Sequence, residues 1–324
     1  MNTLIVPCLG RKIIDNQPQY LLRHPNGKLL MERSIEGIFP ELYDKIIFAI
    51  LKDDSIKYNA KEIIENELAD KYSIDICEFN ELTSGPAETI YKTINEKNVE
   101  GSIVIKDSDN YIKLEEQMEG NFIAGLDLNN SVRDVHNLRN KSFLIINEQN
   151  NILDIIEKQI KSEIIGLGLY GFKNVQDFVS AYEKLDDMSY PIDSLYLSHI
   201  ISYLIGYSQR IFHYISSVEY ENWGDERLWK DMQRDYTLYF IDLDNIFKTA
   251  TLSESNKNKL MALQSRGAYF IGYTTYNEEY KNNILQIMED SGIKFIKVIY
   301  DCPYSSVKEI IDTDDLLIQK VLEL

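Results

Sequence analysis

Apolar, β-branched runs alternate with amphipathic helical stretches from the first residues onward, and this alternation limits the folds open to the chain. Residues 2–9 (NTLIVPCL), 45–51 (KIIFAIL) and 73–79 read as strands, whereas 29–39, 60–72 and the stretch from Ala87 onward have helical spacing. Strands alternating with helices imply an α/β fold, a mixed, mostly parallel sheet with helices on both faces. In such open sheets ligands collect beyond the carboxyl ends of the strands. The residues just past each strand are therefore the first to inspect.

The stretch 101–112, GSIVIKDSDNYI, stands out by that criterion. A buried-strand run, Ile103 to Ile105, leads within two residues to a pair of carboxylates, Asp107 and Asp109. Two hard oxygen donors at a strand end suit Mg²⁺, which keeps room for substrate phosphates. An acidic Asx turn is the competing reading, since Asp, Ser and Asn all favour turns. Residues 81–94, ELTSGPAETIYKTI, place Thr83, Ser84, Gly85 and Pro86 before a helix. Small residues there expose backbone N–H groups to a ligand, or simply cap the helix. Further on, 141–158 reads as a hairpin about an Asn-rich turn, and 164–172, IIGLGLYGF, as a glycine-spaced strand that opens no helix and so is no dinucleotide fingerprint. Helices are expected over 174–184 and 195–205. One strand, a turn at Trp223 and Gly224 and a short helix are expected over 212–235.

The pattern then restarts. TLYFIDLDNIF, 237–247, is a second apolar strand ending in Asp-x-Asp, Asp242 and Asp244, followed by a helix over 252–264 and a strand over 268–275 that ends in hydroxyls. A helix over 278–290 and two short strands, KFIKVIYD and VKEIIDTDD, complete the unit, with carboxylates including Asp312 at the end of the last. The restart divides the chain into domains 1–234 and 235–324.

Composition narrows the partners. With 34 Lys and Arg against 52 Asp and Glu, the formal charge is -18. A chain this acidic is expected to bind neither nucleic acid nor anionic membrane, both of which demand a basic face. Three cysteines without paired spacing indicate neither a disulfide framework nor zinc, and suit a reducing cytoplasm. No apolar run reaches the ~20 residues of a membrane span, and the N-terminus lacks a signal-peptide pattern. The aromatic and aliphatic stretch 196–214 reads as core or as the surface of a homo-oligomer.

Taken together and in order, IVPCLGRK, NGKLLMERSIEGI, LTSGPAETIY, VIKDSDNY, NFIAGLDL and EYENWGDERLW resemble the sugar-phosphate nucleotidyltransferases of glycosyltransferase-A-like fold, in the form found with capsule and surface-polysaccharide synthesis. Residues 236–324 resemble the small, Rossmann-like haloacid dehalogenase domains. The first resemblance implies an enzyme that joins a nucleoside triphosphate to a phosphorylated sugar or small alcohol, with Mg²⁺, and releases pyrophosphate. It assigns Leu9, Gly10 and Arg11 to the base and phosphates, Thr83, Ser84, Gly85, Ala87 and Glu88 to the nucleoside, and Asp107 with Asp109 to the metal. The second implies Asp242 as nucleophile, Asp244 as acid and base, Thr274 on the phosphoryl group and Asp312 as a further ligand of Mg²⁺ beside Asp242 and Asp244.

The chain departs from both patterns. Where the first family has Pro-Lys, Pro18 is followed by Gln19, leaving Arg23 or Lys28 to meet the acceptor phosphate. The second metal carboxylate after Trp223 is replaced by Leu228, so Asp225 either supplies it or caps the following helix. The lysine expected before the last carboxylate of the second domain is missing, with Asp301 and Cys302 in its place. Beside nucleotidyl transfer two alternatives therefore stand: a phosphatase working through the C-terminal domain, and a nucleotide-binding regulatory protein with a degraded site.

Overall fold

The computed structural model describes residues 1–10, 13–14, 16–24, 26–129, 138–188, 194–235, 237–244, 253–264, 268–280, 283, 286, 292–293, 295–303 and 318–322. The chain forms two compact units, Met1–Leu22 with Leu29–Asn222, and Arg23–Lys28 with Trp223–Leu324.

The first unit begins with strand β1 (Asn2–Pro7) and a small ribbon of β2 (Ile13–Ile14) and β3 (Gln17–Pro18). Helix α1 (Leu30–Glu36), β4 (Lys45–Leu51), α2 (Lys52–Tyr58), α3 (Ala60–Leu68) and β5 (Ile74–Phe79) follow. Then come α4 (Pro86–Lys97), β6 (Ser102–Lys106), β7 (Asn110–Lys113), β8 (Phe122–Asp127), β9 (Ser142–Ile146), β10 (Asn151–Glu157) and β11 (Ile164–Phe172). Helices α5 (Val175–Asp187) and α6 (Leu197–Gly206) precede β12 (Phe212–Ser216) and β13 (Glu219–Asn222).

Nine strands form one sheet in the order β5-β4-β1-β6-β11-β8-β12-β10-β9. Alternation along each strand sends side chains to opposite faces. Ile5, Ile47, Ile103 and Ile105 pack with α4 residues Ala87, Ile90 and Ile94 on one face. Leu4, Val6, Phe48 and Val104 pack with Met31, Ile35, Ile64 and Leu68 on the other. The sheet is mixed rather than mostly parallel, because four of its eight neighbour pairings in that order are antiparallel. The reason lies in the connections. The turn between β9 and β10 is too short for a crossover, and short links permit only antiparallel pairing. There the Asn147 side chain accepts hydrogen bonds from the backbone of Gln149 and Asn151.

The single strand expected after residue 212 is two. Ser217 N–H still bonds Gly125 of β8, whereas Val218 N–H bonds Lys113 of β7. The chain thus leaves the large sheet between adjacent residues, and β13 pairs with β7 in a separate antiparallel ribbon. Among the described residues no helix is long and apolar enough to cross a membrane.

The second unit contains α7 (Glu226–Asp235), β14 (Thr237–Asp242), α8 (Glu254–Gln264), β15 (Tyr269–Tyr273), β16 (Phe295–Ile299) and β17 (Ile318–Leu322). Its four strands are parallel, in the order β16-β15-β14-β17. Ile241, Leu243, Leu260 and Phe270 are among the residues of one core, while Leu238, Phe240 and Tyr273 belong to another. The run 307–315, expected as a strand, and most of the helix expected over 278–290 lie outside the described residues.

Candidate functional site

In the first unit β1 and β6 are parallel neighbours with Ile5 opposite Ile105. Residues Pro7–Gly10 and Asp107–Asp109 therefore leave the sheet side by side, and Ser108 Oγ donates to Pro7 O at 3.1 Å. Strands β4 and β5 extend the sheet beyond β1, so this is where the strand order reverses, the usual crevice for ligands in α/β sheets. A cleft of about 330 Å³ opens here, lined by Cys8, Leu9, Gly10, Gln19, Tyr20, Thr83, Gly85, Thr89, Asp107 and Asp109 together with Pro7, Pro86 and Ser108.

The α4 side of the cleft is built by close packing. Gly85 has an extended backbone, and its need is for space, since a Cβ there would stand 3.0 Å from both Leu195 O and Ser194 Cβ. The hydroxyls of Thr83 and Thr89 share a hydrogen bond of 2.6 Å. Pro86 occupies the first turn of α4, where its missing N–H costs nothing.

The opposite wall depends on a buried cation. Lys106 shares a face of β6 with Val104 and is fully buried. Its ammonium donates to Asp107 O at 2.6 Å, Asn110 O at 2.9 Å and Asn110 Oδ1 at 2.8 Å. Burial pushes its pKa down to about 7, against the pull of the Asp107 and Asp109 carboxylates. A second, half-buried lysine, Lys141, donates to the Tyr220 hydroxyl at 2.8 Å and also feels both carboxylates. Across from the turn, Asp107 N–H bonds Gly168 O at 2.8 Å. Gly168 has φ +78°, at the irregularity in the β11–β8 pairing, and a Cβ there would collide with Asp107 Oδ2. Only glycine leaves that carboxylate its place.

The floor carries no reactive thiol. Burial pushes Cys8 up to about 12, so it stays protonated at neutral pH. Tyr20 donates to Asp54 Oδ2 at 2.9 Å, and burial raises both groups. Gln19, buried at the position where the resemblance implies lysine, also lines the cleft.

Of the residues expected from the sequence, the structure brings together Leu9, Gly10, Thr83, Gly85, Asp107 and Asp109. Ala87 points into the core instead. Glu88 turns back on its own helix, accepting from Ser84 N–H at 2.5 Å and pairing with Lys92 at 2.6 Å, so neither Ser84 nor Glu88 lines the cleft. Arg11 lies outside the described residues. Lys28 sits in the short segment of the second unit, where its carbonyl accepts from His24 N–H at 2.8 Å. Asp225 accepts from Leu228 N–H at 2.8 Å, which makes it the cap of α7.

At the other strand-ended Asp-x-Asp, Asp242 accepts from Asp244 N–H at 2.9 Å. Asp244 in turn accepts from Thr274 Oγ1 at 2.5 Å, Thr275 Oγ1 at 2.6 Å and Thr275 N–H at 3.1 Å. Thr274 is fully buried. Asp312 lies outside the described residues.

Sequence reasoning missed Tyr20, Thr89, Lys106, Lys141 and Gly168. A lysine closing an apolar strand directly before Asp-x-Asp-Asn was the available signal for Lys106.

The donor set suits a magnesium ion. Asp107 and Asp109 offer hard oxygens beside an open cleft, and Mg²⁺ is commonly held by one or two carboxylates plus substrate phosphates. Among the described residues no cluster of three or more His, Cys, Asp or Glu is gathered for a protein-only metal cage.

No family model and no curated protein sequence matches the chain. Solved structures do. A nucleoside-diphosphate-sugar pyrophosphorylase from Vibrio cholerae RC9 is 20% identical with a TM-score of 0.58, over 70% of this chain and 98% of that one. The inositol-1-phosphate CTP transferase from T. maritima is 13% identical with a TM-score of 0.53, over 70% and 90%. Over that share of its length the chain has the fold of the nucleotidyltransferases.

Proposed function

We propose that the protein is a Mg²⁺-dependent nucleotidyltransferase that joins a nucleoside triphosphate to a phosphorylated sugar or small alcohol and releases pyrophosphate. The observation that carries this reading is the meeting of three elements in one cleft: the carboxyl end of β1, the start of α4, and the Asp107–Asp109 turn after β6. Of the two neighbours named above, one is named for a nucleoside-diphosphate sugar and the other for inositol 1-phosphate and CTP, so the proposed acceptor class is drawn to span both.

In this reaction an acceptor phosphate oxygen attacks the α-phosphorus, and the bond from that phosphorus to the pyrophosphate oxygen breaks. Most of the protein's task in such transfers is positioning and charge neutralisation. The backbone of Leu9 and Gly10, with Arg11, would line the triphosphate. Thr83 and Gly85 would border the nucleoside. Asp107 and Asp109 would hold Mg²⁺, which offsets the charge that builds on the phosphates.

Residues 1–234 would form this domain, and 235–324 a haloacid dehalogenase-like one. Capsule or surface-glycan synthesis in the cytoplasm would be the setting. A phosphatase is the second reading, favoured by Asp242 and Thr274 at the ends of the adjacent parallel strands β14 and β15. Gln19 in the cleft supports a third, a nucleotide-binding regulator.

Pyrophosphate release, measured with each of the four triphosphates against hexose 1-phosphates and polyol phosphates in Mg²⁺, tests the proposal. Release with one pair, abolished in Asp107→Ala, is expected. No release with any pair and no nucleotide binding by calorimetry would refute it.

A further inference from the structure

The Lys106 side chain is placed where an apolar residue would normally complete the strand face, and its surroundings show what it does there. In its charged form the ammonium spends all three protons on a single turn. One goes to the carbonyl of Asp107, one to the carbonyl of Asn110 and one to the Asn110 side chain, at 2.6, 2.9 and 2.8 Å. The cation therefore closes a ring across residues 107–110 from beneath, and Asn110 itself is buried. Asn110 Nδ2 then donates to Asp109 Oδ1 at 3.3 Å, linking the ammonium to the second carboxylate through one residue. Elsewhere the turn is pinned by Asp107 N–H on Gly168 O and by Ser108 Oγ on Pro7 O. Each of those contacts fixes one residue. Lys106 reaches both ends of the turn, Asp107 and Asn110, from one side chain.

A buried ammonium is costly unless it is fully hydrogen-bonded, and removing it would take a donor from two carbonyls and an amide oxygen. A lysine kept in that position binds the turn more tightly than an apolar side chain could. We propose that Lys106 is the positioning residue of the cleft: it touches no substrate, and it holds the Asp107–Asn110 turn so that the Asp107 and Asp109 carboxylates face one metal–triphosphate together. The inference rests on the nucleotidyltransferase reading and adds to it a device that presets the metal ligands before metal arrives. Positioned ligands matter because a site held loosely loses affinity without losing any donor.

The test compares the full-length wild type with Lys106→Met, Lys106→Arg and Asn110→Ala. Amide hydrogen exchange on the metal-free protein reads the turn, and water-proton relaxation with Mn²⁺ and each triphosphate reads the ligands. In Lys106→Met, exchange over residues 107–110 should rise about ten-fold or more while β4 and β5 keep their rates, a local loosening of the kind such exchange resolves. Mn²⁺–triphosphate affinity should fall about ten-fold, as for other supporting residues around metal ligands. Metal-free nucleotide affinity should stay the same, and Lys106→Arg should recover part of both losses. If Lys106→Met fails to fold, Asn110→Ala removes one acceptor and should show both effects at smaller size. Wild-type exchange in the turn, or Mn²⁺–triphosphate affinity within about two-fold of wild type, would overturn the inference. A wild type that gives no relaxation enhancement with any triphosphate would instead refute the nucleotidyltransferase reading and the metal role of Lys106 with it. Exchange would still decide whether Lys106 holds the turn.

Discussion

The chain carries the same short signal twice, an apolar strand ending in Asp-x-Asp, and uses it in two ways. After β6 the carboxylates of Asp107 and Asp109 line a cleft, and the groups that hold their turn are a buried lysine and a glycine beneath and beside it. After β14 the second carboxylate is consumed by its own unit. Asp244 accepts from both hydroxyls of Thr274 and Thr275 and from the Thr275 amide, which fastens the end of β14 to the end of β15. On the proposed function, the first Asp-x-Asp serves as a ligand site lining a cleft, whereas in the second the Asp244 carboxylate clamps two strand ends together. The motif alone does not distinguish the two.

Three substitutions sharpen that contrast, from the largest effect to the smallest. Gly168→Ala should be the most severe, because it forces a side chain onto the Asp107 carboxylate and into a left-handed backbone, at about 1–3 kcal/mol of strain. Pyrophosphate release should drop by at least about 100-fold, the scale of losing one charge-stabilising group. Calorimetry and a release assay on the same preparation would separate the two losses, and full activity would mean that Asp107 does not need its present position. Asp244→Ala should do the reverse. It strands a buried threonine hydroxyl and should destabilise the second unit by about 1–3 kcal/mol in a denaturant titration, with nucleotidyl transfer unchanged. Loss of transfer in that variant would break the comparison.

Glu88→Gln gives the smallest effect and depends on pH. Burial, the largest influence on Glu88, raises its pKa, yet Lys92 and the bonds from Ser84 together win and hold it below the usual glutamate value. A depressed carboxylate contributes stability above its unfolded pKa and loses it as pH falls through the folded value. The variant should therefore melt slightly lower than wild type at pH 7, and the gap should close as pH falls through the depressed folded-state pKa of Glu88. Wild-type melting at pH 7 accompanied by a raised KM for the triphosphate would show instead that Glu88 serves the nucleotide.

The sequence made the scaffold legible where burial follows a simple period. The runs forming β1, β4 and β6 are apolar because strands in the interior of the sheet are covered on both faces, and β1 and β6 mark the cleft through the residues that follow them. Strand β7 was not legible, because NYIK is short and gains its partner only when β13 returns from over 100 residues away. The split between β12 and β13 was hidden for a similar reason, since Ser217 and Val218 change sheets without a glycine or proline to announce it. Within the cleft, Asp107 and Asp109 could be read from their place after a strand. Lys106 left a fainter signal, its place between an apolar strand and Asp-x-Asp-Asn, outweighed by the ordinary expectation that a lysine at a strand end points to solvent; its acceptors lie only one and four residues on, at Asp107 and Asn110. Glycine spacing in β11 was visible, but the service Gly168 performs for Asp107 depends on an antiparallel neighbour.

We assign the chemistry to the β1–β6 cleft and not to the second Asp-x-Asp. Pyrophosphate and phosphate release, followed together in wild type, Asp107→Ala and Asp242→Asn with the productive triphosphate and acceptor, test it most directly. Pyrophosphate release that Asp107→Ala reduces at least about 100-fold and Asp242→Asn leaves intact is the result expected from removing one metal-binding carboxylate. Phosphate release that disappears in Asp242→Asn while Asp107→Ala behaves as wild type would contradict it and place the activity in the second unit.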